Sequence, residues 1–436
     1  MPDVALINDY ARGADRLTRK LIYLYIFLLF FEGALRKWFL PFLSGPLTIV
    51  RDPLMVIIIF TYLSAGYRLL NFYTITLLSF GLASFVLTLG LGHQNLLVDI
   101  FGLRTLLLHF FLIFIAGNVL NRSDVETIGR YTVYALPLMA LIIGLQFYSP
   151  QSAWINRGVG GDMEGAGFSG AMGYMRPSGT FSFTNGSVTY FSLAAAFLFY
   201  FLSEPTKISR IALIVGFGSA VAAIPLSISR TYMVQFALCG LFFILISLRS
   251  ARGTRNLAIV LLVSPVILLL LSTLEFFQTA LTVLTTRFEA ANNAEGGLDS
   301  SISDRFLGGM TRAVTDNGHL PWHGEGLGMG TLFASSIMTG GKDFLLGEGE
   351  WSRFVGEMGP YLGLGALLLR TILSFHLLIA GSLAALRGNA LPFMLLSFGF
   401  LKVLQGGWSQ PTSHGFSMIA GGLIIASLND RSGHGA

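Results

Sequence analysis

Charged side chains are scarce in this chain, since Asp, Glu, Lys and Arg make up only 12% of its 436 residues and hydrophobic residues make up 53%. Soluble globular domains carry about 25% charged residues, so the composition excludes an ordinary soluble domain. Cys239 is the single cysteine, which excludes an internal disulfide. The sequence shows no internal repeat, which argues against a transporter assembled from two inverted halves. We therefore predict an all-α polytopic membrane protein.

Apolar segments of about 20 residues, long enough to cross the hydrocarbon core of a bilayer, recur along the chain. Basic residues precede the first one, as in a signal peptide, but no small-residue cleavage site follows, so we expect an uncleaved first helix. We predict a single integral membrane domain over residues 1–436 with twelve spans. The spans lie near 20–40, 47–66, 70–91, 97–120, 126–148, 187–203, 208–227, 231–249, 256–277, 354–384, 389–406 and 412–428.

Lys and Arg residues mark alternate short loops, and loops of this kind lie on the cytoplasmic side of a membrane. These residues are Arg68, Arg122, Lys207, Arg210, Arg249, Arg252, Arg255, Arg387 and Arg431. Both termini are therefore predicted to be cytoplasmic. Two segments rich in Gly and Ser then lie outside, namely residues 149–186 and a large loop, residues 278–353, between the ninth and tenth spans.

Five basic residues lie toward the predicted outer ends of five different spans, against the bias of the positive-inside rule. They are Lys37, Arg51, Arg104, Arg230 and Lys402. One interpretation is that each side chain reaches the outer headgroups or pairs with a neighbouring acid. The other is a cationic cavity, open to the outer face, whose guanidinium groups bind the oxygens of a phosphate ligand in pairs. Arg230 favours the cavity, because a bound anion would offset the unfavourable position of a cation near a helix N-terminus.

The stretch GEGEWSRFVGEMGP, residues 347–360, gathers four charged side chains just before the tenth span. Glu350, Arg353 and Glu357 share one helical face, so we predict a structural ion pair between Arg353 and Glu357 that Glu350 can join. Glu348 falls outside this spacing and is our first candidate for a general base, with Glu350 as the second. The alternative for Glu348 is a solvated loop carboxylate. His323, in PWHGEGLGMG, is a third catalytic candidate or else a loop histidine satisfied by its neighbours.

Two further patterns in the large loop look like binding motifs for a nucleotide and for zinc, but we expect neither ligand. GEGLGMG looks like a phosphate-binding glycine loop, but no Gly-Lys-Ser/Thr follows it, so a nucleotide site is not expected. His319 and His323 have a spacing that zinc can use. Pro321 lies between them and disfavours the helix that would bring both imidazoles to one face. We therefore expect neither a metal nor a cofactor.

Four sequence patterns follow one another in a defined order. They are R-x-SGTF-x-x-x-N from Arg176, the SRT of Arg230, an outer loop with Arg305 and then GLG, and E-x-GP-x-LGLG from Glu357. In this order they resemble the O-antigen ligase and O-antigen polymerase family over about residues 176–375. The resemblance implies a GT-C-like, metal-independent membrane glycosyltransferase. It also implies that Arg230 and Arg305 bind the diphosphate of an undecaprenyl-diphosphate carrier; Arg176, Arg104, Arg51 and Lys402 are the further diphosphate-binding candidates.

One position departs from the family pattern. A His-Asn pair often stands nine residues before the glutamate that corresponds to Glu357, and here that place holds Glu348 followed by Gly349. A single inverting displacement of the diphosphate would need no nucleophilic carboxylate. Because the departure at Glu348 moves the chain away from the pattern associated with ligases, we expect a polymerase that transfers the glycan to a carrier-linked acceptor, at the periplasmic face of a bacterial inner membrane. The alternatives are a ligase with a lipid-anchored core acceptor, or a transporter or flippase of an anionic lipid-linked substrate. The expected partners are the carrier-linked donor, the glycan acceptor and membrane lipids, and no nucleic acid.

Overall fold

The computed structural model describes residues 4–165, 167–295, 308–315, 320–341, 345–346 and 349–429. Four residues singled out in the sequence, Arg305, His319, Glu348 and Arg431, lie outside the described residues.

Helices dominate the described chain. They are α1 (Val4–Ala34), α2 (Ser44–Thr48), α3 (Arg51–Ser64), α4 (Phe72–Leu91), α5 (Leu96–Leu107), α6 (Phe111–Val119), α7 (Arg122–Tyr148), α8 (Thr184–Ser203), α9 (Arg210–Leu226), α10 (Arg230–Ser247), α11 (Ala251–Ser272), α12 (Glu275–Glu295), α13 (Gly309–Thr315), α14 (Leu332–Met338), α15 (Glu350–Leu386), α16 (Ala390–Gln405) and α17 (Pro411–Leu428). A short antiparallel hairpin joins β1 (Phe168–Ala171) to β2 (Tyr174–Arg176).

Within the described residues, six helical segments are long and apolar enough to cross a membrane, and the bent pair formed by residues 41–48 and α3 would make a seventh. The six are α4, α5 with α6, α7, α8, α10 and α15. The chain is therefore an all-α membrane protein, as the composition predicts. The predicted seventh and eleventh spans correspond to α9 and α16, which are apolar but shorter. The predicted large loop is partly helical, because α12 continues to Glu295 and α13 and α14 lie within it.

Polar residues fix where several of these helices begin. The side chain of Asn71 accepts hydrogen bonds from the first turn of α4, and Thr74 bonds back to the Asn71 N–H. Asn121 and Asp124 form the same reciprocal capping box at α7. Ser229 caps α10 by accepting from the Tyr232 N–H. These caps satisfy N–H groups that have no partner inside the helix, which a membrane interior would make costly to leave exposed.

The polar contacts divide the helical bundle into two ends. At one end Arg19 contacts Asp124 at 3.2 Å, and Lys207 contacts Glu126 at 3.1 Å. At the other, which we call the loop end, the segments 149–165, 167–183 and 320–341 meet the ends of the helices. There Lys37 donates to the Ser178 hydroxyl at 2.9 Å. Helix α8 is buried along most of its length and packs against α7, α9, α10, α16 and α17, so it forms the centre of the bundle.

Helix α15 is broken near its start, at Gly359 and Pro360. Gly359 has φ +75° and Pro360 lacks an N–H, so the carbonyls of the preceding turn lose their helical donors. Residues 321–331, which we call the clamp loop, supply the missing donors. The Glu325 N–H bonds to the Gly356 carbonyl at 2.8 Å, and the Gly326 N–H bonds to the Glu357 carbonyl at 3.0 Å. The glycine-rich sequence therefore joins the clamp loop to a broken helix.

The clamp loop also reaches two other helices. The Leu327 N–H donates to the Thr88 hydroxyl at 3.0 Å, and the His93 ring bonds to the Leu327 carbonyl at 2.9 Å. Gly328 has φ +86° and lies so close to α5 that a Cβ there would be 2.4 Å from the Val98 carbonyl oxygen. The loop thus ties the head of α15 to α4 and α5 at the loop end.

Candidate functional site

A cavity of about 350 Å³ opens at the loop end between α10, α13, α16 and the heads of α15 and α17. One part of its wall is apolar, and another part carries amides, hydroxyls and charged groups. Its lining includes Thr231, Val234, Gln235, Leu238, Gly349, Glu350, Trp351, Phe398, Leu401, Lys402, Gln405, Gly406, Gly407 and Ser413. We call this the Lys402 cavity. A wall of this mixed character suits a ligand that is charged at one end and apolar at the other.

Lys402 is the basic side chain among the described residues that line this cavity. It is half-buried, and its Nζ donates to the Thr189 hydroxyl of α8 at 3.1 Å. Within the described chain, no carboxylate forms an ion pair with it. Partial removal of an ammonium from water without a counter-ion is costly, and an anion bound in the cavity would offset that cost.

Glu350 lines the same cavity but is engaged by two arginines. Arg353 donates to both of its carboxylate oxygens, at 2.9 and 3.1 Å, and Arg370 donates to Oε1 at 3.2 Å. Arg353 also contacts Glu357 at 2.7 Å. We call Glu350, Arg353, Glu357 and Arg370 the Arg353 network. Its geometry includes the Arg353–Glu357 ion pair that the residue spacing predicts.

The Arg353 network is fixed from several sides. Arg370 donates to the carbonyls of Val403 and Gly406, at 3.1 and 2.9 Å. The Gly330 N–H of the clamp loop donates to Glu357 at 2.9 Å. These bonds stabilise the ionised carboxylates. Both carboxylate oxygens of Glu350 are therefore engaged by guanidinium donors, Oε1 by two and Oε2 by one, which favours a positioning role for Glu350 over the role of general base considered from the sequence.

Arg230 begins α10, directly before the cavity-lining Thr231. The approach to it is strained, because Ile228 is fully buried and has φ +47°. A β-branched residue with positive φ is an outlier, and such conformations cost about 1–3 kcal/mol and cluster at functional sites. The β1–β2 hairpin packs on Ile228: a Cβ at Gly170 would lie 2.9 Å from its Cδ1. Arg176 ends that hairpin, half-buried, and is not among the described lining of the Lys402 cavity.

Arg51 and Arg104 do not line the Lys402 cavity. The structure therefore separates them from Lys402, with which the sequence analysis grouped them in one cationic cavity. Arg51 pairs with Glu32 at 2.8 Å, and Arg104 forms a two-bond contact with Asp52 that includes 2.7 Å from Nη2 to Oδ1. Both arginines line a second cavity at the loop end, which we call the His414 cavity. It is formed by Thr48, Arg51, Asp52, Arg104, Thr105, His109, Trp408, Ser409, Pro411 and His414.

Sequence reasoning noticed Asp52 as an acid near these basic residues, but it did not single out the other buried groups around the arginines. Tyr25 bonds to His109 Nδ1 at 2.9 Å, and His109 Nε2 bonds to Asp52 at 2.9 Å. Glu32 could have been noticed, because it stands four residues before Arg36, which approaches it at 3.7 Å. His109 lies in the turn between α5 and α6, and His414 lies in α17; a single histidine in such apolar surroundings gives no pattern.

His323 lies in the clamp loop, half-buried, and does not line the Lys402 cavity. Its Nδ1 is 2.7 Å from the Gly324 carbonyl oxygen, and its ring packs edge-on against Trp322. These local contacts correspond to the alternative of a histidine satisfied by its neighbours. The catalytic candidates therefore separate: Glu350 is at the cavity within an ion-pair network, His323 is in the clamp loop, and Glu348 directly precedes the cavity-lining Gly349 in the chain.

Comparisons with known proteins gave no match: no family model fits the chain, and neither the curated proteins nor the solved structures include a significant relative.

Proposed function

We propose that this chain is a lipid-carrier-dependent glycosyltransferase that takes its glycan from an undecaprenyl-diphosphate donor. The observation that supports the proposal best is the Lys402 cavity, in which an ammonium without a carboxylate partner in the described chain shares a cavity wall with Val234, Leu238 and Leu401. A polyprenyl diphosphate has the complementary character, a charged head and an apolar tail.

The reaction asks mainly for stabilisation of the departing diphosphate. Preorganised cations in a site from which water is excluded provide this, because charge develops on the leaving oxygen in the transition state. Lys402 supplies one cation, and Arg230 stands beside the cavity-lining Thr231. We expect Arg305 to add a further guanidinium and Glu348 to take the proton from the attacking sugar hydroxyl, since the resemblance and the chain position of Glu348 point to these roles. No metal or cofactor takes part in this scheme.

The same proposal includes a membrane arrangement. We propose twelve crossings in a GT-C-like bundle, in a bacterial inner membrane, with both termini cytoplasmic and the Lys402 cavity facing the periplasm. The lysine and arginine bias of the alternate short loops supports this orientation. The separation of the Arg19 and Lys207 contacts from the loop end is compatible with it.

The identity of the acceptor distinguishes a polymerase from a ligase. We favour a polymerase, whose acceptor is a carrier-linked glycan, because Glu348 replaces the histidine of the pattern associated with ligases. The alternatives are a ligase and, from another class, a transporter or flippase of an anionic lipid-linked substrate. A ligase would extend a lipid-anchored core instead, whereas a flippase would move the carrier across the membrane and form no new glycosidic bond.

The test is transfer in proteoliposomes without an ion gradient, using a carrier-linked glycan and comparing Lys402→Met with Lys402→Arg. Loss of a charge-assisted hydrogen bond, ~1.5–3 kcal/mol, predicts a fall of about 10- to 100-fold in kcat/KM for Lys402→Met. Lys402→Arg should retain part of the activity. Lys207→Met, at the opposite end of the bundle, is the control and should behave as the unchanged protein. Carrier translocation without any lengthened or transferred glycan would overturn the proposal.

A further inference from the structure

The His414 cavity lies beside the Lys402 cavity, across the connection between α16 and α17. Gly406 and Gly407 of this connection line the Lys402 cavity, and Trp408 and Ser409 line the His414 cavity. A ligand in one cavity is therefore separated from the other by a single stretch of backbone. The proposed donor chemistry uses only the Lys402 cavity, which leaves the second cavity without an assigned role.

Two buried polar groups of this cavity have no partner in the described chain. Trp408 is 1% exposed and its indole Nε1–H finds no acceptor. His414 is 4% exposed and its Nε2 is likewise without a hydrogen bond. The two rings stack at 5.6 Å, and the Arg370 guanidinium lies 4.2 Å from the Trp408 ring. Native structures leave few buried polar groups unbonded, and an indole nitrogen can only donate.

The arginines of the cavity also have donors to spare. The hydrogen bonds of Arg51 to the described residues use Nε and Nη1, and those of Arg104 use Nε and Nη2. One terminal nitrogen of each guanidinium is thus left over for a ligand. Asp52 has little capacity left for these nitrogens, because Oδ1 already accepts from His109 and Arg104 and Oδ2 accepts from Arg104, which leaves one acceptor position on Oδ2. Among the described residues the cavity therefore has more unused donors than unused acceptors.

Charge and size indicate what the missing acceptor is. Arg36, Arg51 and Arg104 face the two carboxylates of Glu32 and Asp52, so that one positive charge is left over. The free space at the cavity centre is only about 10 Å³, which is about the room that one water-sized group needs. The space therefore admits a single ligand oxygen, and the single surplus charge matches a singly charged carboxylate better than a diphosphate.

We propose that the His414 cavity is a binding site for a single carboxylate group, held by Arg51, Arg104 and the Trp408 indole N–H. Two sources can present this chemistry: an acidic sugar of the glycan acceptor, or a small free carboxylate anion. We favour the acidic sugar, and this choice rests on the proposed function, because the cavity adjoins the one that we assign to the donor. The carboxylate site itself does not depend on that function.

The experiment is saturation-transfer NMR on the full-length detergent-solubilised protein, with no donor present, using glucuronate, glucose, acetate and inorganic phosphate as separate probes. We expect glucuronate to bind and glucose not to bind. Trp408→Phe keeps an aromatic ring at this position but removes the indole N–H, and it should weaken glucuronate binding about tenfold. Arg104→Gln should weaken it at least as much. Trp154→Phe, a tryptophan outside both cavities, should leave binding unchanged.

The probes separate the two sources. If acetate binds much more weakly than glucuronate, the natural ligand is an acidic sugar. If the two bind with equal affinity, the site takes a small free anion. Either result supports carboxylate binding. The proposal is overturned if neither carboxylate shows saturable binding, if phosphate binds more tightly than glucuronate, or if Trp408→Phe leaves the affinity for glucuronate unchanged. This experiment measures binding and not glycan transfer. Carboxylate binding can therefore be absent while Lys402-dependent transfer is observed, or the reverse, so each proposal is tested separately.

Discussion

Arg353 provides the most direct test of how the head of α15 is held. Its side chain is 4% exposed and bonds Glu350 twice and Glu357 once, at 2.9, 3.1 and 2.7 Å. In Arg353→Met the hydrophobic stem stays but the charge is lost. Glu350 then keeps only Arg370 at 3.2 Å, and Glu357 keeps only the Gly330 N–H at 2.9 Å. Two buried carboxylates are left with one guanidinium between them.

The expected cost follows from that imbalance. Removing one partner of a buried ion pair destabilises a protein by about 3–5 kcal/mol, because the remaining charge stays desolvated. The matched control is Arg19→Met at the opposite end of the bundle. Arg19 pairs with Asp124 at 3.2 Å but its side chain is 36% exposed, so its loss should cost about 0–1 kcal/mol.

Unfolding of both variants is followed in mixed micelles at increasing denaturant, with intrinsic fluorescence as the signal. Glu357→Gln is then added to Arg353→Met. The amide keeps an oxygen for the Gly330 N–H and removes the uncompensated charge, so the double variant should recover part of the lost free energy of unfolding. If Arg353→Met costs no more than Arg19→Met, or if Glu357→Gln deepens the loss, the Arg353 network does not stabilise α15 and the reasoning is wrong.

Three further substitutions test other parts of the structure. Gly359→Ala should prevent stable folding, since its Cβ would lie 2.2 Å from a backbone oxygen of the clamp loop, whereas Gly218→Ala, with nothing within 4 Å, should leave the yield of monodisperse protein unchanged. Gly415→Ala should weaken glucuronate binding in the NMR assay without unfolding the protein, because its Cβ would lie 2.3 Å from the flexible Arg51 Nη1. Glu348→Gln should lower kcat far more than it weakens carrier binding, and an equal loss of both would give Glu348 a binding or structural role.

What the sequence could predict was local in character. The membrane class followed from composition, and the Arg353–Glu357 contact could be expected because residues four apart on a helix are neighbours. The fate of Arg51 and Arg104 could not be read in the same way. Their partners lie 19 and 52 residues away along the chain. The packing of α1, α3 and α5 brings these two acids to the two guanidinium groups. The same packing keeps both arginines away from the Lys402 cavity.

The role of the clamp loop also could not be predicted from the sequence. Its glycines have the appearance of a phosphate-binding loop, and the missing Gly-Lys-Ser/Thr was enough to exclude that role but not to assign another. The actual acceptors are the carbonyls of Gly356 and Glu357, which Pro360 and the turn at Gly359 leave without helical donors. A Gly-Pro pair inside an apolar helix therefore implies that some other segment must supply N–H groups, because a membrane interior offers no water to do so. Gly324 permits the close approach, since a Cβ there would lie 2.5 Å from the Glu357 carbonyl oxygen.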